Sequence, residues 1–460
     1  MTDQAMATAS GQVTDATFEG WDSLDWRERR ERRLRRWLEP AGVDFVDDAV
    51  REAYRERVQC VIDALELRKP SRVPVCPMMG LYTARYAGLT IREAMYDFTK
   101  LAGAWARFHE DFEPDFQAEA ILPGPVFDLI GGKFLRWPGH GVANDAPWQY
   151  VEAEYMKADE YEALIADPSA YFMRAFLPRI AEAFEPLAAL DPFTDILEAP
   201  GLPYSLIPFA GPAVVDGVRR LAAAAQAMLE YLDAYEAMSR DLTARLGLPL
   251  FWSGLVKAPY DILADTLRGT RGIIRDRYRQ PEKILAATER FVPLQIDAAV
   301  RQMADADSPL VCIPLHKGAD GFLSDADFRE FYWPGLKAVA KGLTDEGIVP
   351  VFFAEGGYND RLSVIADDEL PAGSVIWWFD ATDMVAAKRA LGGYACFGGN
   401  VPGALLALGS GAAVEEYVTV LLDHVAGDGG FILGSGVMID DAKPETLKAL
   451  IQAGRWWTGR

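Results

Sequence analysis

Residues 374 to 400, SVIWWFDATDMVAAKRALGGYACFGGN, contain two apolar runs separated by an amphipathic segment. The runs SVIWWFD (374–380) and YACFGGN (394–400) are rich in β-branched and aromatic residues, which is typical of strands buried on both faces of a parallel sheet. Thr382 and Asp383 stand before MVAAKRAL and are helix start signals. The stretch therefore predicts a strand, a helix and a second strand parallel to the first.

The same alternation of apolar runs and amphipathic segments continues in both directions. No G-x-G-x-x-G or P-loop pattern follows a run, as a nucleotide-binding doubly wound sheet would require. Eight runs in this alternation close most naturally into a barrel, so we predict an α/β protein with a (β/α)8 TIM-type barrel. The other six runs are VPVCPM (73–78), FQAEAIL (116–122), LPLFWSG (248–254), PLVCIPLH (309–316), IVPVFFAE (348–355) and GFILGSG (430–436).

The spacing of the runs indicates the domain organisation. Residues 1–66 precede the first run, and we predict that they form a helical N-terminal extension to a barrel of residues 67–460. The second and third runs are separated by roughly residues 125–247, which predicts a long insertion after the second strand. Within it, the proline-rich piece LEAPGLPYSLIPFAGP (197–212) is expected to be an ordered loop beside the barrel mouth.

The composition argues against several classes of protein. The formal net charge of -22 opposes binding to nucleic acid and to anionic membranes. The four cysteines form no C-x-x-C pair, and no apolar run has the length of a membrane-spanning helix. We expect a cytoplasmic protein that binds neither nucleic acid nor a membrane, and a homo-oligomer is an open possibility. The segment WRERRERRLRRW (26–37) favours a solvated helix with i,i+4 ion pairs over a docking surface for an acidic partner.

Polar residues end the last five runs. The active site of such a barrel lies at the C-terminal ends of its strands, so these residues are expected on one rim. Consecutive parallel strands lie about 4.8 Å apart, and we therefore predict that His316 and Glu355 reach one bound ligand. The residues are His316 with Lys317, Glu355, Asp380, Asn400 and Ser435.

His316 is the only histidine that directly ends a run. A histidine beside a lysine can serve as a general acid or base, an anion contact or a metal ligand. With Glu355 and Asp380 on the next two strands, it could complete a nitrogen and oxygen site for a divalent metal such as zinc. The alternative is that His316 only caps a loop through a hydrogen bond to the backbone.

Two further segments at strand ends carry charged residues. The third run leads into KAPYDILADTLRGTRG (257–272), where Asp261 and Asp265 are four residues apart and share one face of a helix. They could bind a ligand or do acid-base work, or they could cap the helix and pair with arginines. Past the first run, Arg85 suits a carboxylate or phosphate of a substrate. The predicted catalytic residues are His316, Glu355 and Asp265, and the predicted substrate-binding residues are Tyr82, Arg85, Asp261, Lys317, Tyr358, Asn400 and Ser435.

Four segments, in this order, resemble the uroporphyrinogen decarboxylase superfamily. The resemblance covers about residues 60–455 and is strongest from residue 250 onward. It implies a barrel and one of two activities: cofactor-free decarboxylation or corrinoid-linked methyl transfer. The segments are APYDILADTLRG (258–269), FLSDADFREFYWPGLKAVAKGL (322–343), GGNVPGALLALGSGAAVEEYV (398–418) and GGFILGSGVMIDDAKPETLKALI (429–451).

The chain departs from both activities of the superfamily at its functional motifs. The tetrapyrrole decarboxylase pattern has paired arginines in the first loop, and only Arg85 is present; Asp265 and Ser435 stand near the places of its tyrosine and histidine. The zinc cysteines of the methyltransferase pattern are replaced in FFAEGG (352–357) and GSGVM (434–438). Neither tetrapyrrole decarboxylation nor ordinary zinc-thiolate chemistry is therefore expected.

Three functions follow as hypotheses. The first is a methyltransferase that moves a methyl group between a small organic substrate and a corrinoid on a partner protein. In this reaction His316 and Glu355 would hold a metal or protonate the leaving oxygen, and Arg85 and Lys317 would orient the substrate. The second is a cofactor-free decarboxylase or lyase of a small carboxylic acid, with Asp265 or Glu355 as proton donor. The third is a non-catalytic binding subunit that assembles through residues 26–37.

Overall fold

A parallel sheet of six strands forms the centre of the molecule. The computed structural model describes residues 20–118, 121–191 and 198–458. Sheet order follows chain order, β4-β5-β6-β7-β8-β9, with helices between successive strands from β4 onward, as in a βα barrel. The strands are β1 (Leu135–Pro138), β2 (Gly141–Val142), β3 (Gln149–Tyr150), β4 (Gly254–Leu255), β5 (Leu310–Leu315), β6 (Val349–Ala354), β7 (Ile376–Phe379), β8 (Cys396–Val401) and β9 (Phe431–Ser435).

The first two predicted strands are extended segments and not full members of the sheet. Residues 73–79 lie parallel to β9, where the Cys76 amide donates to the Leu433 carbonyl at 2.8 Å. Residues 116–118 lie beside the start of the third run, where the Gln117 amide donates to the Pro249 carbonyl at 3.0 Å. Residues 119 and 120 of that run lie outside the described residues.

The prediction of a closed barrel of eight strands is thus wrong in one respect: the strands of the described residues do not close into a barrel. Between the two extended segments, the described residues form no backbone ladder, and the Val75 amide donates to the Asp115 carboxylate at 2.9 Å instead. Pro77, the next residue whose backbone faces this edge, lacks the amide hydrogen that a ladder would use. The α/β class, the parallel sheet and the helical N-terminal extension are confirmed.

Alternate strand residues belong to two separate apolar clusters. Ile313, Phe352 and Trp377 pack with residues of the surrounding helices, whereas Cys312, Val351 and Trp378 belong to an interior cluster. Trp378 fills space that two glycines leave open: a Cβ at Gly434 would lie 2.4 Å from its ring. At Gly398 the corresponding distance is 2.9 Å, and the Trp378 indole donates to the Ser435 carbonyl at 2.8 Å. The interior of the barrel is therefore packed and not a pore.

Helices surround the sheet, and side-chain caps start some of them, including the predicted cap at Asp383. Ser324 Oγ accepts from the Asp327 amide at 3.1 Å, and Asp383 accepts from the amides of Val385 and Ala386. No helix among the described residues is long and apolar enough to cross a membrane. The helices around the sheet are Tyr82–Tyr86, Ile91–Tyr96, Phe98–Phe112, Pro259–Asp261, Gly269–Arg279, Pro281–Gln302, Asp325–Asp327, Trp333–Asp345, Leu362–Ile365, Met384–Leu391, Gly403–Leu408, Gly411–Val425 and Pro444–Trp456, with π-helical turns at Ile262–Leu267 and Phe328–Tyr332.

The N-terminal extension is built into the core. Its helices are Trp26–Leu38 and Asp48–Leu65, and Val58 and Val61 of the second are fully buried in the cluster that contains the barrel interior. In the arginine-rich helix, the predicted i,i+4 pairing occurs between Glu31 and Arg35, at 2.8 Å. Four other arginines, Arg29, Arg30, Arg33 and Arg36, donate to carbonyl groups of distant loops, as Arg33 does to Glu346 and Met303. The helix therefore holds loops of the barrel through hydrogen bonds, and its arginines do not simply form a solvated face.

The predicted insertion lies between the second and third runs. Its three short strands form a sheet of order β2-β1-β3. Its longest helix, Pro212–Leu246, has 35 residues and ends at Gly247, whose φ of 63° is left-handed and suits glycine. The shorter helical elements are Gly124–Ile130, Tyr161–Ala166, Pro168–Tyr171, Phe172–Phe176, Leu177–Ile180, Glu182–Ala189, Ala199–Gly201, Leu202–Ser205 and Ile207–Ala210.

Candidate active site

A cavity of about 660 Å³ lies between the C-terminal ends of β4 to β6 and the insertion. Its floor is mainly polar and comes from β5 and from the segments that follow β4, β5 and β6. Its walls are largely aromatic and come from the insertion. The floor residues are Lys257, Asp265, Thr266, Pro314, His316, Lys317 and Glu355, and the wall residues are Phe134, Tyr150, Val151, Glu152, Tyr155, Phe176 and Ile180.

His316 is held between two carboxylates. It follows β5 and Glu355 follows β6, and the pairing of Leu315 with Ala354 makes them neighbours across the sheet edge. His316 Nδ1 lies 2.6 Å from Asp265 Oδ2, and Nε2 lies 3.5 Å from Glu355 Oε1. The two predicted catalytic groups on adjacent strands therefore share one cavity, as the sequence indicates.

The two carboxylates favour the charged form of His316. Burial alone lowers the pKa of His316, but the hydrogen bonds and charges of Asp265 and Glu355 outweigh it and raise the pKa to about 10. The side chain is consequently an imidazolium at neutral pH, with both ring nitrogens protonated. In this state it can donate a proton or hold an anion, but it has no lone pair for a metal or for general-base catalysis.

Asp265 is the common partner of three positively charged groups. Lys257 Nζ lies 2.9 Å from its Oδ2, and Lys317 Nζ lies 3.4 Å from its Oδ1. Burial raises the pKa of Asp265, but the hydrogen bond from His316 and the charge of Lys257 prevail and lower it. Asp265 is therefore a carboxylate that orients the cations, and it is not a proton donor at neutral pH.

Asp261 lies beneath the cavity and positions its floor. Its Oδ2 accepts from the His316 amide at 2.9 Å and from the Tyr332 hydroxyl at 2.8 Å. Its Oδ1 accepts from the Lys317 amide at 3.1 Å. Asp261 is fully buried, and this burial, with the nearby charge of Asp265, raises its pKa. It does not line the cavity; it fixes the backbone that carries His316 and Lys317.

Two predicted substrate-binding residues after the first run do not line the cavity. Tyr82 is only 4% exposed, and its ring packs against Phe108 and Phe112 in the core. Arg85 donates to the carbonyl groups of Asp440 and Asp145. Both side chains serve packing or loop structure, because the first run approaches the edge strand β9 and not the strands β4 to β6 that bear the cavity.

Three other predicted residues make internal hydrogen bonds away from this cavity. The Ser435 hydroxyl accepts from the Met78 amide at 3.1 Å. The Asn400 side chain donates to the carbonyls of Asp380 and Thr382. Tyr358 is fully buried, and its hydroxyl donates to the Leu315 carbonyl at 3.4 Å. These side chains satisfy backbone groups at strand ends, which a sequence pattern does not distinguish from binding groups.

The described residues do not fit the predicted metal site. They contain no group of three histidine, cysteine, aspartate or glutamate side chains that could hold a metal ion. Asp380 instead accepts from the Gly356 amide at 3.0 Å, and both ring nitrogens of His316 face carboxylates. The four cysteines form no disulfide and are all buried.

Sequence reasoning missed Lys257 and the walls of the cavity. Lys257 directly precedes the alanine-proline turn after the third run, so its position at a strand end was a usable signal. Glu152 accepts a hydrogen bond from the Thr270 amide, which lowers its pKa. No motif marks Glu152 or the aromatic residues, because their approach to the rim depends on the fold of the insertion.

The family of the chain follows from its match to known proteins. The model of the family described as uroporphyrinogen decarboxylase (URO-D) matches residues 193–457, which is more than half of the sequence. The chain belongs to the uroporphyrinogen decarboxylase family. The family match contains the whole charged floor of the cavity, whereas the wall residues from Phe134 to Ile180 lie outside it.

Individual relatives are distant from this member of the uroporphyrinogen decarboxylase family. A uroporphyrinogen decarboxylase from Salinispora tropica is 27% identical over 282 residues, covering 56% of this chain and 71% of that protein. A solved methyltransferase from Methanosarcina mazei superimposes with a TM-score of 0.55 and 15% identity, covering 86% of this chain and 97% of the other. The structural likeness supports the fold, and the reaction of this family member is a separate question.

Proposed function

We propose that this member of the uroporphyrinogen decarboxylase family is a methyltransferase that removes a methyl group from a small aromatic methyl ether. The methyl acceptor is a reduced corrinoid carried by a separate protein, which acts as the second substrate. The observation that carries the proposal is the imidazolium of His316 on the floor of a cavity with aromatic walls. We place this activity in the cytoplasm.

The charges of the cavity favour a small substrate with few charges. Among the described lining residues, the positive groups are matched in number by negative ones. A substrate with many carboxylates needs an excess of cations, which this balance does not supply. The positive residues are Lys257, His316 and Lys317, and the negative residues are Glu152, Asp265 and Glu355.

His316 supplies the proton that the leaving oxygen needs. The bond between oxygen and the methyl carbon breaks, and the electron pair of the new carbon–cobalt bond comes from cobalt(I), which is thereby oxidised by two electrons. The released aryl oxygen takes the proton from His316. A phenol has a pKa of about 10, similar to that of His316, so this proton transfer is close to balanced in free energy. The half-exposed Glu355 lies on the solvent side and can return a proton to the ring.

The walls suit a planar ring. Phe134, Tyr155 and Phe176 supply aromatic surface from the insertion. Aromatic side chains contact a ring substrate through offset-stacked or edge-to-face arrangements, each worth about 0.5–1.5 kcal/mol beyond the burial of area. Lys257 and Lys317 lie at the floor and can hold a single carboxylate of the substrate.

A cofactor-free decarboxylation is the second candidate, and a specific observation favours it. The cavity contains a proton donor and two lysines, while the described residues contain no metal-binding group. In that reaction His316, and not the ionised Asp265, would protonate the carbon from which carbon dioxide departs. The clustering of shifted pKa values in this one cavity supports a catalytic site over a non-catalytic binding subunit.

The two activities are distinguished by assays on the same preparation. The chain is incubated with cob(I)alamin and a panel of methoxylated aromatic acids, and the visible spectrum is followed for methylcobalamin. Carbon dioxide release is measured in parallel without corrinoid. Methylation of the corrinoid that is lost in His316→Gln supports the proposal. A silent spectrum with a corrinoid carrier protein supplied, together with carbon dioxide release, would favour decarboxylation instead.

A further inference from the structure

The longest helix, Pro212–Leu246, leaves an apolar stripe exposed. Its opposite face is buried, with Ala224, Tyr231 and Leu242 among the buried residues. Val218 is 46% exposed, Leu229 42% and Leu232 44%, and Ala222 and Ala225 between them are exposed as well. We call the following residues the exposed stripe: Val218, Ala222, Ala225, Leu229 and Leu232.

The spacing of the exposed stripe is that of a helix–helix interface. Successive members are separated by four, three, four and three residues, which is the heptad spacing of a coiled-coil seam. Single exposed leucines are ordinary on a protein surface, but a contiguous apolar patch marks an interaction site. Apolar surface also continues upstream, where Tyr204 is 76% and Ile207 66% exposed, and the Ile207–Ala210 turn contacts the helix.

The charges beside the exposed stripe are asymmetric along the helix. Arg219 lies beside its N-terminal half, whereas Glu230 and Asp233 lie beside its C-terminal half, and all three are exposed. If two such helices pair antiparallel, Arg219 of each faces the acidic residues of the other. Such pairs contribute little energy on a surface, but they set the orientation of paired helices.

We propose that a second copy of this chain covers the exposed stripe. The two Pro212–Leu246 helices pair antiparallel about a two-fold axis near Ala225, so that the same surface of each copy forms the interface. Charge complementarity between Arg219 and the acidic residues Glu230 and Asp233 argues for this occupant. The surface lies outside the catalytic cavity, and the proposal does not depend on the reaction.

Cross-linking tests the axis directly. The four native cysteines are buried, so an introduced surface cysteine is the main accessible thiol. Ala225→Cys places a thiol at the proposed axis. Ala223→Cys is the matched control, because Ala223 is exposed on the same helix but outside the exposed stripe. Mild oxidation is expected to give a covalent dimer with Ala225→Cys only. Equal cross-linking of the two variants would overturn the proposal.

Sedimentation velocity tests the interface without a cross-link. The wild-type chain is expected to sediment as a dimer at micromolar concentration, and Leu229→Lys combined with Leu232→Lys as a folded monomer by circular dichroism. Leu408→Lys, at a residue 79% exposed elsewhere, should remain dimeric. Arg219→Glu should weaken the dimer about tenfold, and adding Asp233→Arg should restore it, since each pair occurs twice in a two-fold dimer. A monomeric wild-type chain would overturn the proposal and would assign the exposed stripe to a different protein. A dimer that survives both leucine substitutions would overturn it as well.

Discussion

His316 is a cation because of its neighbours and not because of its own chemistry. Asp265 at 2.6 Å and Glu355 at 3.5 Å stabilise the ring proton on each nitrogen. Asp261 holds the backbone of His316 from below, so the ring has little freedom to leave this position. A charged donor fixed in advance is what general-acid catalysis requires.

Replacing His316 by glutamine keeps a polar side chain but removes the transferable proton. We expect His316→Gln to lower kcat by about 10²–10⁴-fold, the usual contribution of a general acid. Steady-state kinetics on the substrate found in the methyl-transfer or decarboxylation assay measures the effect. His424→Gln, which changes an exposed histidine away from the cavity, is the control and should retain the wild-type kcat. A His316→Gln enzyme with wild-type kcat would contradict the role of this residue.

The raised pKa of His316 predicts a pH dependence of stability. An unperturbed histidine titrates near 6.5, whereas His316 in the folded protein titrates near 10. Its charge therefore stabilises the fold fully below pH 6.5, and this contribution is lost as the pH rises through about 10.

Urea unfolding of wild type and His316→Gln across this pH range measures the contribution. The difference between their free energies of unfolding should shrink as the pH increases. Nitrogen-15 NMR offers an independent check, because it reports the protonation of the ring itself. A His316 ring that titrates near 6.5 would contradict the ion-pair account.

At the scale of elements, the packing of β7 against β8 and β9 depends on glycine. A Cβ at Gly434 would lie 2.2 Å from the Cys76 carbonyl oxygen and 2.4 Å from the Trp378 ring. We expect Gly434→Ala to destabilise the protein by about 1–3 kcal/mol, as overpacking of a core does. Thermal unfolding followed by circular dichroism measures this. Gly427→Ala is the control, since nothing lies within 4 Å of its Cβ position, and an equal Tm for both variants would refute the argument.

Elements with local signals could be predicted from the sequence, and those that depend on distant contacts could not. The runs that became β5 to β9 have continuous apolar residues, and Asp383 caps the helix that it was expected to start. The run at 73–78 has the same composition, but its two prolines limit it to isolated pairing with β9.

The candidate active site shows the same division between residues with local sequence signals and residues that depend on distant contacts. His316 and Glu355 were predictable because they end adjacent strands. Tyr82 shortly follows a run and Ser435 ends one, yet both side chains lie in the core, which only the packing of other segments reveals.

For the whole molecule, the N-terminal extension closes one end of the core. Val58 and Val61 share a buried cluster with Leu310 and Val349 of the sheet. We expect a chain without residues 1–66 to lose its soluble folded form, because it would expose this apolar surface. Soluble yield and circular dichroism of the shortened chain test this. In the full-length chain, Val61→Asp should lower the Tm of the protein. A shortened chain that unfolds cooperatively at the wild-type Tm would contradict it.

The candidate active-site cavity contains two parts of the chain, one inside the family match and one outside it. Its charged floor falls inside the family match, whereas its aromatic walls come from a segment outside it. If the proposed reaction is correct, residues of the insertion select which molecules enter, and residues of the family match supply the proton. A chimera that exchanges residues 132–180 for the corresponding segment of another family member should therefore acquire that protein's substrate preference and retain its own reaction type.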